Sequence, residues 1–329
     1  MIEIPIIRDA FDIYSRHYSS LGDYSATTII DSPRRVALFK RYGEGVEYSP
    51  ESQAASLVGT AVHDKMEELL KMANVKHPSY LVERSVAHPV TVSRPDVQTK
   101  AGILLPRHKT WTKLLAGKFD ILADKKDLID IKTCKTWKLI FDPTKIEWTK
   151  QLNIYGWLLL QRGVTIRSLT VVAFYMDWIE SQAIRNKAYP QEPIMEYKIN
   201  MWDSMEQERF ITGRLLMHCE TEDMKDKDLP KCTMEEMWQN PEEYAIFKDQ
   251  KAKRAMKVCK NSNLHEAIET AQTLKGVSKN SYIDIRHEKR KRCEKFCAVN
   301  DHCNQYQSWK GQQDTKGKNT DKFELGGVM

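Results

Sequence analysis

Gly117-Lys118-Phe119-Asp120-Ile121-Leu122-Ala123-Asp124-Lys125-Lys126-Asp127-Leu128-Ile129-Asp130-Ile131-Lys132 holds two apolar runs separated by four polar residues. Runs over Leu114–Ala123 and Leu128–Thr133 on either side of such a turn predict a β-hairpin. If the chain reverses near Lys125–Lys126, Asp120 and Asp130 stand equally far from the turn on neighbouring strands. Cross-strand neighbours lie roughly 5 Å apart at Cβ. Two carboxylates held that close among Phe119, Ile121, Ile129 and Ile131 repel unless positive charge sits between them. A hard divalent cation bound through oxygen answers that need. Lys132 follows Asp130 by two residues and therefore projects from the same strand face.

Outward from the hairpin, helices and strands alternate. Ser49 and Pro50 form a helix start, and apolar residues at helical spacing run from Glu51 to about Met72. Leu57, Val58, Ala61, Val62, Met66, Leu69 and Leu70 are expected to give that helix a wide buried face. It carries Gly59 and His63, with Glu67 one turn on. A glycine inside a helix costs about 1 kcal/mol relative to alanine, and so often marks a close approach. Tyr80–Val86, which contains Glu83, reads as a further strand. Beyond the hairpin, a helix over Glu147–Gln161 stops at Gly163. Gln151 and Tyr155 share one of its faces at i, i+4. Leu169–Tyr175 is a buried strand, Pro193–Ile199 an edge strand and Trp202–Glu220 a long helix.

Taken in order, G-x-x-x-H, G-x-x-D, D-x-K and Q-x-x-x-Y fall on helix, strand, strand and helix. This series resembles the core of the RecB-like PD-(D/E)XK nucleases, over roughly residues 30–180. The resemblance implies an α/β restriction-endonuclease-like fold: a mixed central sheet flanked by helices. It also implies a metal-dependent deoxyribonuclease, expected to be an exonuclease of DNA repair, recombination or phage DNA metabolism. By this resemblance His63, Asp120, Asp130 and the Ile131 main-chain carbonyl hold Mg²⁺ or Mn²⁺. Lys132 is the catalytic lysine, which would hold or activate the attacking water while the metal stabilises charge building on the phosphate. Gln151 and Tyr155 contact DNA or orient the site, and Glu83 is a lesser candidate. The rival is a DNA-binding accessory protein with the same fold and no cleavage.

Residues 1–225 are expected to form the nuclease core and 226–309 a C-terminal region, with a tail from 310 to 329 expected to be disordered for its Lys/Gly/Gln composition. In the C-terminal region, Tyr244–Lys248, Ala255–Val258 and Tyr282–Arg286 read as strands. With a Ser262-capped helix over His265–Leu274, they make a small α+β insert at about 240–290. Cys293, Cys297 and Cys303 form C-x3-C-x5-C, and three thiols this close suit a metal site that needs a fourth ligand. Relatives with iron–sulfur clusters usually supply one cysteine from an N-terminal C-P segment, where this chain has Ser32-Pro33. Cys232, in Leu229-Pro230-Lys231-Cys232, resembles the replacement in phage-type members. The resemblance favours a 4Fe–4S cluster, with Zn²⁺ as the alternative, acting as a structural clamp. Cys219 and Cys259 are rivals to Cys232 as fourth ligand, although they, like Cys134, read first as small apolar residues.

The partner implied is DNA, as ends or a single strand, together with an unidentified recombination or replication protein. Arg34, Arg35 and the basic run 286–292 are placed to meet phosphates. Tyr42, Trp137 and Tyr306 are placed to stack on unpaired bases. The chain has 329 residues with a formal charge of +6, compatible with a polyanion but mild. No apolar run suits a bilayer. The opening MIEIPIIRDAFDIYS lacks signal-peptide features, and so a cytoplasmic address, in a bacterium or a phage-infected host cell, is expected.

Overall fold

The structure is a computed structural model that describes residues 21–44, 46, 50–74, 79–94, 97–98, 104–105, 108–141, 145–260, 262–316 and 322–327. The chain divides into two compact units: Met1–Val36 with Glu47–Met224, and Ala37–Val46 with Lys225–Met329.

The first unit is built on a six-stranded mixed sheet. Its strands are β1 (Tyr24–Ser25), β2 (Tyr80–Arg94), β3 (Lys109–Ala123), β4 (Asp127–Cys134), β5 (Ser168–Tyr175) and β6 (Ile194–Ile199). Strand β3 is the axis. One edge pairs antiparallel with β2 from Lys109 to Ala123. The other edge is shared: β1 runs parallel to it at Leu115–Ala116, and β4 antiparallel at Ile121–Ala123. Between those two ladders, residues 117–120 carry the glycine and the first acid of the motif. Parallel β5 and antiparallel β6 complete the sheet beyond β4.

The hairpin turn lies where the polar residues predict it. Asp124 and Lys125 adopt positive φ (50° and 56°), and the Lys126 amide donates to the Ala123 carbonyl at 2.9 Å. Strands β2 and β3 both extend beyond the predicted spans. Their added residues (Val90, Val92 and Trp111) are buried in the same core as Leu115 and Leu122.

The flanking helices include α1 (Ala26–Ile30), α3 (Pro50–Asn74), α4 (Ile146–Leu160) and α5 (Ser204–Thr221), while α2 (Pro33–Tyr42) runs from the first unit into the second. Helix α4 is apolar nearly all round. Leu152, Ile154 and Leu158 are fully buried against the sheet, and Gly163 takes φ +76° beyond its end. Asn153 anchors its packing with α5, since its side-chain carbonyl accepts from Trp202 N at 2.8 Å and Gln207 Nε2 at 3.1 Å.

Helix α3 departs from expectation. Its apolar stripe does not form a wide buried face: Leu57, Val58 and Leu69 are exposed. The inward positions are spent on Gly59 and His63, which bring the helix toward β4 and β2. An alanine Cβ at Gly59 would lie 3.0 Å from Thr133 Oγ1. Ser49, the expected cap, lies outside the described residues.

The second unit carries an antiparallel four-stranded sheet in the order β8-β7-β9-β10: β7 (Glu243–Phe247), β8 (Lys257–Lys260), β9 (Tyr282–Arg286) and β10 (Lys322–Glu324). Helix α6 (Leu264–Thr273) buries Ala267 and Ala271 in one core with Tyr244, Ile246, Ile283 and Leu325. Its cap is Asn263 rather than Ser262: the Asn263 side chain accepts from Glu266 N at 3.0 Å, while Ser262 Oγ donates to the Glu266 carboxylate. Of the tail from 310 expected to be disordered, residues 310–316 and 322–327 are described, and 317–321 and 328–329 lie outside the described residues. Helix α7 spans Asn304–Lys316, and β10 pairs with β9 through Phe323↔Ile283. Phe323 and Leu325 pack into the small core, so two apolar side chains order a segment that composition alone marks as polar.

Candidate active site

Three neighbouring strands each set an acid at one level. The β3–β4 register pairs Ile121 with Ile129, and continuing that count sets Asp130 opposite Asp120. The β2–β3 register, from Val82↔Ile121 to Arg84↔Phe119, sets Glu83 across from Asp120 on the other side. Glu83 takes φ +51°, a left-handed conformation that a non-glycine residue adopts at a cost of order 1–3 kcal/mol. Its side chain is almost fully buried and points to the site, where the Glu83 carboxylate meets His63 Nδ1 at 3.4 Å and Lys118 Nζ at 2.5 Å.

His63, reaching in from α3, links the acids. Its Nε2 lies 3.0 Å from Asp120 Oδ1. The other Asp120 oxygen accepts from the Ile131 amide at 2.6 Å, taking the place a backbone carbonyl would fill in a continuous ladder. Asp120 and Asp130 are both buried, at 6% and 2% exposure. Lys132 Nζ lies 2.7 Å from Asp130 Oδ2, and the lysine side chain remains a quarter exposed.

Burial sets the electrostatics. Removal from water pushes the Asp130 carboxyl up to about 6, partly opposed by Lys132 and reinforced by Asp120. Burial likewise raises Glu83. His63 is raised, chiefly by its hydrogen bond to Asp120 and against the effect of its own burial. For Lys132, burial pulls downward, but the charge and hydrogen bond of Asp130 outweigh it, and the ammonium is held more firmly. The same balance operates at Lys118 beside Glu83 and Glu67. Carboxylates that share charge this way call for added cation.

The donor atoms fit one. His63, Glu83 and Asp120 each offer a ligand atom, all within 4.8 Å of one another, the one such group among the described residues. Two hard oxygens and an imidazole suit Mg²⁺ or, better, Mn²⁺. Glu83 belongs to this converging group, while Asp130 stands beside it, paired with Lys132. Sequence reasoning ranked Glu83 low because an acid in a strand has no motif around it. The available signal was its distance from Asp120 along the chain, which a β2–β3 pairing would have matched.

Gln151 and Tyr155 do come together: Gln151 Nε2 donates to the Tyr155 hydroxyl at 2.8 Å. Tyr155 is only 5% exposed, however, and its ring lies over Gly117, where an added Cβ would stand 2.6 Å from the ring. This corrects its assignment to a DNA contact. The tyrosine supports β3 at the residue three before Asp120.

The arginine assignments are corrected as well. Arg34 is 3% exposed, and Arg35 is ion-paired with Asp31 one helical turn back. Pro33 opens α2, and that start turns Arg34 inward. Of the proposed stacking residues, Tyr306 is buried, and Tyr42 has one ring face covered by His302 at 4.2 Å between centroids. Trp137 is 57% exposed.

In the second unit, Cys232, Cys293, Cys297 and Cys303 lie in one neighbourhood. The Cys293 thiol is pushed up to about 12, first by burial and then by Cys297, Cys232 and Cys303. Side-chain amides knit the segments: Gln305 accepts from Cys232 N at 2.8 Å and donates to Cys232 O at 3.0 Å, and Asn300 donates to Cys293 O at 2.9 Å. Among the described residues these thiols do not converge as the acidic group does: no three of them offer ligand atoms all within 4.8 Å of one another. Cys219 and Cys259 are buried in the two apolar cores. The Cys134 thiol is raised to about 11, mainly by burial.

No protein-family model and no curated protein matches the chain. Among solved structures, SSO0001 aligns with a TM-score of 0.42 at 20% identity, over 66% of this chain and 87% of its own. An alkaline exonuclease from Laribacter hongkongensis aligns at 0.31 and 17% identity, over 62% of this chain and 91% of that one. The exonuclease LHK-Exo in complex with dAMP gives 0.33 and 16%, over 62% and 92%. Likenesses of this size decide no activity, which must be argued from the chain's own geometry. Among the described residues, no helix is long and apolar enough to cross a membrane.

Proposed function

We propose that this chain is a deoxyribonuclease dependent on Mg²⁺ or Mn²⁺, acting on DNA ends or single strands as an exonuclease. The observation that carries the reading is the level row Glu83, Asp120 and Asp130, with His63 closing it from α3 and Lys132 beside it. Such a row, left without a metal ion, is held by lysines, one imidazole and the Ile131 amide.

His63, Asp120 and Glu83 are the proposed metal ligands, with Asp130 and the Ile131 carbonyl completing the set. A divalent ion there would supply charge to stabilise a pentavalent phosphate. The remaining work falls to the protein. Lys132, kept as an ammonium by Asp130, donates hydrogen bonds that orient a water or a phosphate oxygen. In the hydrolysis a bond forms from the water oxygen to phosphorus and the water proton passes to solvent, while the phosphorus–ester oxygen bond breaks and the leaving ester oxygen takes a proton from solvent to become a hydroxyl. Gln151 and Tyr155 hold β3 so that Asp120 keeps its place.

The four cysteines are proposed to hold a 4Fe–4S cluster, or Zn²⁺ in its stead, which would clamp the second unit. The visible absorption of anaerobically purified protein distinguishes these, since a zinc site is colourless. For the nuclease reading, end-labelled linear DNA and closed circular DNA are incubated with Mg²⁺, Mn²⁺ or EDTA. Metal-dependent loss of the linear form alone is expected. Binding without cleavage under every condition overturns the enzyme assignment in favour of a DNA-binding accessory protein.

A further inference from the structure

In the second unit, two aromatic rings from distant segments meet at the surface. Trp238 is 44% exposed and Phe296 is 51% exposed. Their centroids lie 5.4 Å apart at 54°, and the Arg292 guanidinium sits 5.5 Å from the Trp238 ring centre. The arrangement is fixed from beneath. Arg290 pairs with Gln239 in a short antiparallel ladder, and Arg292 N donates to the Met237 carbonyl at 3.1 Å. Trp238 itself adopts φ +49°, a conformation that turns a large side chain outward when its neighbours run inward; Met237 beside it is buried.

Bases outnumber acids around the rings, although Glu235 and Glu236 lie on the Trp238 segment. From Arg286 to Phe296 the chain carries six bases, Arg286, Lys289, Arg290, Lys291, Arg292 and Lys295, against Glu288 and Glu294. Glu288 is already engaged by Gln239 and Arg290, whereas Lys289, Lys291 and Lys295 are exposed. Exposed ring faces bordered by cations match the chemistry of unpaired nucleotides, whose bases stack and whose phosphates need counter-charge. A duplex hides its base faces and would meet only the cations.

We infer that Trp238 and Phe296, bordered by Arg292, Lys291 and Lys295, form a stacking surface for single-stranded nucleic acid. This rests on the nuclease reading for the identity of the polyanion and adds the strand state it must have. The surface acts without sequence preference, because every base presents a π face.

The test is binding of a fluorescein-labelled oligothymidylate and of a labelled hairpin duplex to the full chain in EDTA, read by anisotropy. Trp238→Ala and Phe296→Ala are each expected to weaken oligothymidylate binding about ten-fold while changing duplex binding less than two-fold. Trp238→Phe should recover most of the loss, and thermal midpoints of all three variants verify folding. Unchanged oligothymidylate binding in both alanine variants overturns the inference. So does equal weakening toward the duplex, or displacement by polyglutamate as effective as by unlabelled oligothymidylate, which would assign the surface to acidic protein segments. Cleavage of linear DNA by the wild-type chain with Mn²⁺ is scored separately. Absent cleavage with Trp238-dependent binding removes the enzyme reading alone, and present cleavage with Trp238-independent binding removes this surface alone.

Discussion

The acidic site of the first unit and the cysteine neighbourhood of the second, both proposed to hold a cation, gather their donors by opposite means. Glu83, Asp120 and Asp130 are aligned by strand register, so the sheet brings like charges together whether or not a cation is present. The cost is visible in Asp130, held near 6 by burial, and in the left-handed backbone of Glu83. The cysteines sit on short segments joined by Gln305 and Asn300. Among the described residues few strands hold their region, and the metal proposed for the thiols would supply much of its order. The contrast teaches that a register-built site should survive loss of its metal, whereas a loop-built site should not.

The largest expected effects lie at the acidic site. Lys132→Ala and Asp130→Ala should each lower cleavage by about 10²–10³ or more. Asp130→Ala should leave the thermal midpoint near or above wild type because a buried charge is removed, whereas Lys132→Ala should lower it because the buried Asp130 carboxylate loses its counter-charge. Full activity in either variant, measured on linear DNA with Mn²⁺, breaks the assignment. At the other site the pattern should invert. Cys293→Ser should lower the thermal midpoint by several degrees, equivalent to about 2 kcal/mol or more, and reduce bound metal, with Mn²⁺ affinity at the acidic site unchanged. Retained metal and midpoint would place the two sites in the same class.

Gly117→Ala sharpens the comparison at the sheet itself. A methyl there meets the Tyr155 ring at 2.6 Å, and overpacking of this kind costs about 1–3 kcal/mol. The loss should appear in denaturant unfolding, and Gly117→Ala combined with Tyr155→Ala should lose less than the sum of the two single losses.

The smallest effect is one of pH. Asp130 has a folded value near 6, above the ordinary carboxylate value of 3.8, so folding takes up a proton between those limits. Its penalty is therefore present above pH 6 and relieved as pH falls toward 4. Metal-free wild type should lose less stability, or gain more, between pH 7.5 and 5 than Asp130→Asn does. Cleavage should fall over the same interval, since protonation of Asp130 and of His63, whose pKa is raised, removes donors for the cation. Parallel stability curves for the two proteins would contradict the burial argument.

Much of this was legible in the chain. The turn at Asp124–Lys125 and the opposition of Asp120 and Asp130 follow from spacing, because strand periodicity is local, whereas the reach of His63 is implied only by the family resemblance. Glu83 was harder: its role depends on a strand pairing between distant segments and on one left-handed residue. The inward Arg34, the buried Tyr155 ring and the exposed stripe of α3 depend on which neighbour covers each face, and periodicity does not specify that. The ordered end of the chain hinges on Phe323 and Leu325, two apolar residues in a polar context.

The most direct test is a Mn²⁺ titration of the full chain followed by electron paramagnetic resonance, comparing wild type with His63→Ala, Glu83→Gln and Asp120→Asn. The account predicts one Mn²⁺ bound at the acidic site of the wild-type chain, with affinity weakened at least about ten-fold in every variant. Equal Mn²⁺ binding by all four proteins would contradict it.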